Sequence, residues 1–324
     1  MYIKKIINNT TLIFTVLLLT FTSGSFAKDS TAVKLVEEEI SIQTDNGELF
    51  GTLTLPVKSK KSALAIIIAG SGPVDRDGNL PNMKNNCLKM LAHSLADNNI
   101  SSIRYDKRGI GKSKGAGLIE DSLTFNVYIE DVKSWINKFD KDKRFFEIII
   151  IGHSEGSLIG MVAAKQHVDK FISIAGLGSP VQEILKIQLK NLPDELRAQS
   201  TVILDSLSQG LRVKQVSPML FSIFRPSIQR YMSSWMKLDP SKEIKDLSIP
   251  ALIVNGTSDM QVDSSNAEKL HNALPDSKML IIQHMNHVMK EIDSPEKNLP
   301  SYNDPEKPLA PHLIETIVDF ITSK

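Results

Sequence analysis

The chain has 324 residues, 41% of them hydrophobic and 23% charged, which is enough for one large or two ordinary domains. Its 38 Lys and Arg against 37 Asp and Glu leave a formal net charge of +1, so nothing in the balance supports nucleic-acid binding or a polyanionic substrate. A single cysteine, Cys87, excludes an intramolecular disulfide and a cysteine-rich metal site.

The N-terminus reads as a targeting segment. Lys4 and Lys5 give a positive start, residues 12–21 are an apolar run, and Ser25-Phe26-Ala27 is a small-x-small cleavage signal, with no acidic residue before Asp29. The expectation is a secretory signal over 1–27, cut after Ala27, and an exported chain that is periplasmic or extracellular. No stable membrane insertion should remain after cleavage. The competing uncleaved anchor is diluted by Asn8, Asn9 and several threonines.

Beyond it, Ile40 and Ile42, then Asp45-Asn46-Gly47, then Leu49, Leu53 and Leu55 alternate around a hairpin signal. Residues 63–68 predict a buried strand ending in Ala69-Gly70-Ser71-Gly72-Pro73. The spacing over 85–98 predicts a helix that carries Cys87 as a small core residue beside Leu88, Leu91 and Leu95. A short strand is expected at 100–105. An amphipathic helix follows at 125–139, with Ile129, Val132 and Ile136 on one face.

Four isoleucines, Ile148 to Ile151, predict a strand covered on both faces. It breaks into Gly152-His153-Ser154-Glu155-Gly156, and a helix-compatible segment follows to His167. Strand, sharp turn and helix with serine at the apex is the context that gives G-x-S-x-G meaning, because the turn exposes the serine hydroxyl above the sheet. A strand at 171–175 comes next. Residues 179–242 lack a strand signal and carry Pro193, Pro218 and Pro226, so they predict a helical insertion over the sheet's C-terminal edge, where a substrate lid would lie. Its Leu211, Val213, Met219, Leu220, Phe221, Ile223 and Phe224 suit the insertion's own core better than an acyl-binding wall.

Alternation resumes with a strand at 251–255, a helix at 267–274, a strand at 278–282, a polar, Pro-rich surface loop at 293–308 and a closing helix from Leu313. The whole predicts an α/β fold: a mainly parallel sheet with helices on both faces, the core split into 28–178 and 243–324 around the insertion. The pattern carries no signal for an oligomeric state.

Gly109-Ile110-Gly111-Lys112-Ser113 imitates the end of a phosphate-binding loop. The full pattern needs a glycine where Asp106 stands, and Gly70-Ser71-Gly72 lacks the third glycine of a dinucleotide fingerprint. No cofactor and no metal are expected.

A serine hydroxyl needs a histidine base, and the base needs a carboxylate to fix its tautomer. In open α/β sheets such groups lie just past strand C-termini. Strand 251–255 runs into Asp259, with Asp263 four residues later, and strand 278–282 runs into both His284 and His287. His93, His167 and His271 fall on predicted helices, His312 starts one, and His153 packs in the serine turn. The order Ser154, Asp259, His287 is the chain order of the α/β-hydrolase triad.

On these residues the chain resembles bacterial α/β-hydrolases of the serine-esterase and serine-aminopeptidase-like branch, EstD-like carboxylesterases in particular. The resemblance runs through Ile68 to Pro73 with Asp75 to Asn79, Arg104 to Ser113, Gly152 to Gly156, Asn255 to Asp259 and Asn286 to Lys290. It implies an α/β-hydrolase fold with Ser154 as nucleophile, Asp259 as acid and His287, rather than His284, as base. It also implies an oxyanion hole from the backbone N–H groups of Ser71 and Glu155, with Ala69-Gly70 standing where many relatives have His-Gly. The Asp106-to-Ser113 loop would serve as structural support.

The activity implied is cleavage of small-molecule carboxylic esters with small to medium acyl groups, through an acyl-enzyme on Ser154. One alternative is a serine peptidase of aminopeptidase type, since Asp75, Arg76, Asp77 and Glu155 put charge near the crevice. The other is a non-catalytic binding protein, against which the intact Ser, Asp and His set argues.

Overall fold

Strands β1 (Leu35–Thr44) and β2 (Gly47–Pro56) form the expected antiparallel hairpin, with Thr44 opposite Gly47 across the turn. This computed structural model describes residues 35–59, 61–117 and 119–323, so the secretory signal expected over 1–27 lies outside the described residues. β2 pairs antiparallel with β4 (Ser101–Tyr105); β3 (Ser62–Ile68), β5 (Phe145–His153), β6 (Lys170–Ile174), β7 (Ala251–Gly256) and β8 (Lys278–Ile282) complete a sheet of eight strands. The order is β1-β2-β4-β3-β5-β6-β7-β8, parallel from β4 onward.

The isoleucine run explains why both faces are covered. Side chains alternate along a strand, so Ile148 and Ile150 point one way and Ile149 and Ile151 the other, and all four are buried. The first pair joins Ile66, Ile68 and the apolar faces of α2 (Phe125–Phe139) and α3 (Glu155–Ala163). The second joins Ile67 and the buried faces of α1 (Cys87–Asp97) and α11 (Leu313–Thr322). Each fully buried side chain of this size contributes roughly 1.5–3 kcal/mol, so this run anchors the sheet to both helical layers. Cys87 sits at the start of α1, 1% exposed, and burial pushes its thiol up to about 12.

Between β6 and β7 the chain is helical: α4 (Val181–Gln188), α5 (Asp194–Ser208), α6 (Phe221–Phe224), α7 (Gln229–Trp235) and α8 (Pro240–Lys245). Leu220 and Phe224 are buried with Ile203, Leu204 and Leu207 of α5, whereas Met219, Leu211 and Phe221 face solvent. After β7 come α9 (Ser265–Ala273), β8, α10 (Asn298–Ser301) and α11. Among the described residues no helix is long and apolar enough to cross a membrane.

Leu211, Met219 and Phe221 thus fall outside the insertion's core to which the sequence assigned them, and two further expectations change. The helix after the serine turn ends at Ala163, and His167 lies beyond it with φ of 49°, because a turn is needed to bring the chain back into β6. Residues 293–308 are more than a surface loop: α10 lies within them, and Asn298, Ser301 and Tyr302 are buried.

Candidate active site

Ser154 sits between β5 and α3 with φ 55° and ψ −122°, a conformation that L-residues rarely adopt and that points its side chain out of the turn. Close packing forces the flanking glycines. A Cβ on Gly152 would lie 2.4 Å from the Gly156 oxygen, and one on Gly156 would lie 2.4 Å from the Ile68 oxygen. The strand-to-helix turn therefore closes against β3 only when both positions lack a side chain.

The loop after β7 carries Asp259 and the loop after β8 carries His287. Asp259 Oδ1 accepts from the backbone N–H groups of Gln261 (2.8 Å) and Val262 (2.9 Å), which leaves Oδ2 facing His287 Nδ1 at 2.8 Å. Both side chains are buried, and Ser154 and His287 line one cavity. The alternatives lie elsewhere. Asp263 is exposed and accepts from the Ser265 N–H at the start of α9, while His284 is exposed with φ of 63°.

Long-range polar contacts, invisible in local spacing, hold the two loops. Asn286 Nδ2 donates to Ser301 Oγ (2.8 Å) and Asn298 Oδ1 (3.2 Å), and Asn298 Nδ2 donates to the Ser258 carbonyl (2.7 Å). Asn286 Oδ1 also accepts from the Lys290 N–H, closing the turn that presents His287. His153 Nε2 donates to the His287 carbonyl at 2.7 Å, and burial, then the nearby His287, pulls its pKa down to about 4. His153 is thus a neutral packing partner that fixes the His287 backbone, the rings 4.9 Å apart.

Ser71 follows β3 and lines the Ser154 cavity, while Gly70 lies so near that a Cβ there would be 3.1 Å from Ser154 Cβ. Glu155 begins α3, where first-turn N–H groups have no helical acceptor. Both backbone donors therefore flank the serine. Behind them lies a residue that sequence reasoning passed over: Lys107, 2% exposed, donates from Nζ to the Gly70 carbonyl, sits 3.5 Å from Glu155 Oε1 and lies over the Tyr128 ring.

The charges expected around the crevice are engaged inside the fold. Asp106 accepts from the Arg76 backbone N–H at 2.8 Å and from its guanidinium at 2.7 and 3.0 Å. Asp77 pairs with Arg104 at 2.8 Å, and Asp75 accepts from the Asp77 and Asn79 N–H groups.

Two cavities meet at Ser154. One of about 620 Å³ is walled by His287, Val288, Leu80, Leu299 and Tyr302. The other, of about 280 Å³, lies between Glu155 and the helical insertion and is lined by Ile184, Ile223, Met232 and Trp235. Among the described residues the only acidic side chain lining either is Glu155, the partner of Lys107.

A family model described as serine aminopeptidase, S33, matches residues 83–292. Esterase EstD of Thermotoga maritima is 27% identical over 260 residues, covering 78% of this chain and 60% of that protein, so the chain spans about 60% of the length of this curated relative. Among solved structures, Est1E from Butyrivibrio proteoclasticus bound to ferulic acid superposes with a TM-score of 0.57 at 16% identity, covering 87% of this chain and 96% of that one. The alpha/beta hydrolase GrgF from Penicillium sp. sh18 gives 0.56 at 18% identity, covering 88% and 98%. At these identities the structural likeness establishes the fold, that of the α/β-hydrolases.

Proposed function

The chain belongs to the serine aminopeptidase, S33, family of α/β-hydrolases, and from that premise we propose that it is an exported carboxylic ester hydrolase acting through an acyl-enzyme on Ser154. The observation that carries this reading is the 2.8 Å contact between Asp259 and His287 Nδ1 beside a serine held at φ 55°. Ser154 Oγ attacks the ester carbonyl while His287 Nε2 takes its proton. Asp259 keeps the imidazole's Nδ1 protonated and stabilises the imidazolium. The new bond is Oγ to acyl carbon; the bond that breaks is acyl carbon to alkoxy oxygen, which leaves with the proton from His287. The carbonyl oxygen is received by the Ser71 and Glu155 N–H groups, and interactions of this kind supply a large share of catalysis. Water then repeats the sequence on the acyl-enzyme.

Esters are favoured over aminoacyl substrates for a specific reason. An N-terminal ammonium needs an uncompensated carboxylate near the serine, and among the described residues the only acidic side chain lining the two cavities is already paired with Lys107. Export follows from Lys4, Lys5, the apolar run at 12–21 and Ser25-Phe26-Ala27, which support a periplasmic or extracellular enzyme beginning at Lys28.

The test sets p-nitrophenyl acetate, butyrate and decanoate against aminoacyl p-nitroanilides. Hydrolysis of acetate and butyrate at least ~100-fold faster than any anilide is expected; preferential anilide cleavage would move the aminopeptidase reading to the front.

A further inference from the structure

We propose that the substrate is an ester of a compact acid with a bulky apolar alcohol, because the two cavities at Ser154 divide acyl and leaving groups unequally. This rests on the ester-hydrolase reading above. The tetrahedral centre formed on Ser154 carries four groups: the serine oxygen, the oxyanion, the acyl substituent and the leaving oxygen. His287 must reach the leaving oxygen to protonate it, so the leaving group lies on the His287 side. His287 lines the cavity of about 620 Å³ and not the one of about 280 Å³, while Ser71, one oxyanion donor, borders both and Glu155, the other, borders only the smaller. The alcohol portion therefore has about twice the room of the acyl portion.

The walls differ in chemistry. On the acyl side Ile223, Met232 and Trp235 of the helical insertion line the cavity, so added acyl length meets the insertion. On the alcohol side Met83, Met260 and Leu299, which are 38%, 56% and 70% exposed, line the cavity, and among the described residues it bears no acidic side chain. Apolar side chains gathered at the mouth of a cavity fit an apolar group that enters there.

Two isomeric esters test this: naphthalen-2-ylmethyl acetate and methyl naphthalen-2-ylacetate carry the same ring system on opposite sides of the ester bond. The acetate is expected to be cleaved with kcat/KM roughly 10- to 100-fold higher. Leu299→Asp should pull the ratio toward one. Equal rates, a reversed ratio, or cleavage of neither while p-nitrophenyl acetate is hydrolysed would overturn the division of the site and leave the esterase reading standing. If no ester is cleaved at all, both fall.

A separate contact carries a second inference: Lys107 is a positioning residue for the oxyanion hole. In a trans peptide the carbonyl and N–H point in opposite directions. Lys107 lines neither cavity that Ser154 lines, and its Nζ holds the Gly70 carbonyl; the Ser71 N–H of the same peptide therefore points away from Lys107. The same ammonium faces the side chain of Glu155, whose backbone supplies the other donor, so one buried ion pair braces both.

Lys107→Met should lower kcat roughly 10- to 100-fold with KM held within about twofold, and weaken a boronate that forms a tetrahedral adduct by the same factor. Because that variant leaves Glu155 buried without its partner, the double variant Lys107→Met/Glu155→Gln, which removes both charges, should show the same kcat loss. A folded variant with unchanged kcat, or one altered only in KM, would overturn the assignment.

Discussion

Ser154→Ala is expected to lose on the order of 10⁶-fold in kcat on p-nitrophenyl acetate while remaining folded. The size follows from the unit formed by Ser154, His287 and Asp259: without the hydroxyl, the base has no proton to take and no acyl-enzyme forms. The fold should survive because alanine keeps the Cβ. The strain of φ 55° is then unchanged, and the packing of Gly152 against Gly156 and of Gly156 against β3 is untouched. The checks are steady-state kinetics beside thermal melting, together with loss of covalent labelling by an active-site phosphonate. Activity above about 1% of the parent would show that another group attacks the ester.

Asp259→Asn should cost on the order of 10⁴-fold in kcat, and the hydrogen bonds already present dictate why. Oδ1 of Asp259 accepts from two backbone N–H groups, those of Gln261 and Val262, so in the amide that position has to remain the oxygen. The NH₂ group is then turned toward His287, where Oδ2 now sits 2.8 Å from Nδ1. An amide donor in that place favours the tautomer with Nδ1 bare and Nε2 protonated, and such an imidazole cannot accept the serine proton. Activity should partly recover at high pH, where residual base catalysis by hydroxide competes. Kinetics across pH 6 to 10 check it, and a loss below about tenfold would remove Asp259 from the role of orienting carboxylate.

How much of this was legible depends on whether the information is local. The isoleucine run, the hairpin at Asp45-Asn46-Gly47 and the helix at Phe125–Phe139 are written in neighbouring residues, and the strands and helices stand close to where periodicity puts them. His284 and His287 follow the same strand and nothing in their spacing separates them. The distinction arises in three dimensions, where Asn286 closes a turn that aims His287 inward while His284 stays exposed. Asp259 and Asp263 are separated the same way, by an N–H pair that seats one and a helix start that occupies the other.

Polar content misled in two places. Residues 293–308 look like solvated loop, yet Asn298, Ser301 and Tyr302 are buried against the His287 turn by side-chain amide bonds that leave no hydrophobic pattern. Asp75, Arg76 and Asp77 look like substrate-binding charge, yet partners 27 and 30 positions away absorb Arg76 and Asp77, and turn N–H groups hold Asp75. Lys107 hides for a related reason: a lysine in a loop reads as surface until its acceptor, the Gly70 carbonyl, is known.

The lone thiol gives the molecule a chemical property of its own. Cys87 lies at the foot of α1 on the wall of the larger cavity at Ser154, 1% exposed, with Gly78 packed so closely that a side chain there would touch its sulfur, and burial pushes its thiol up to about 12. Burial disfavours the thiolate that would attack a disulfide, an alkylating agent or a peroxide, so the folded chain is slow to cross-link to its neighbours through this sulfur. Because the sulfur borders the larger cavity at Ser154, a reagent that modifies it in the folded chain reports entry into that cavity.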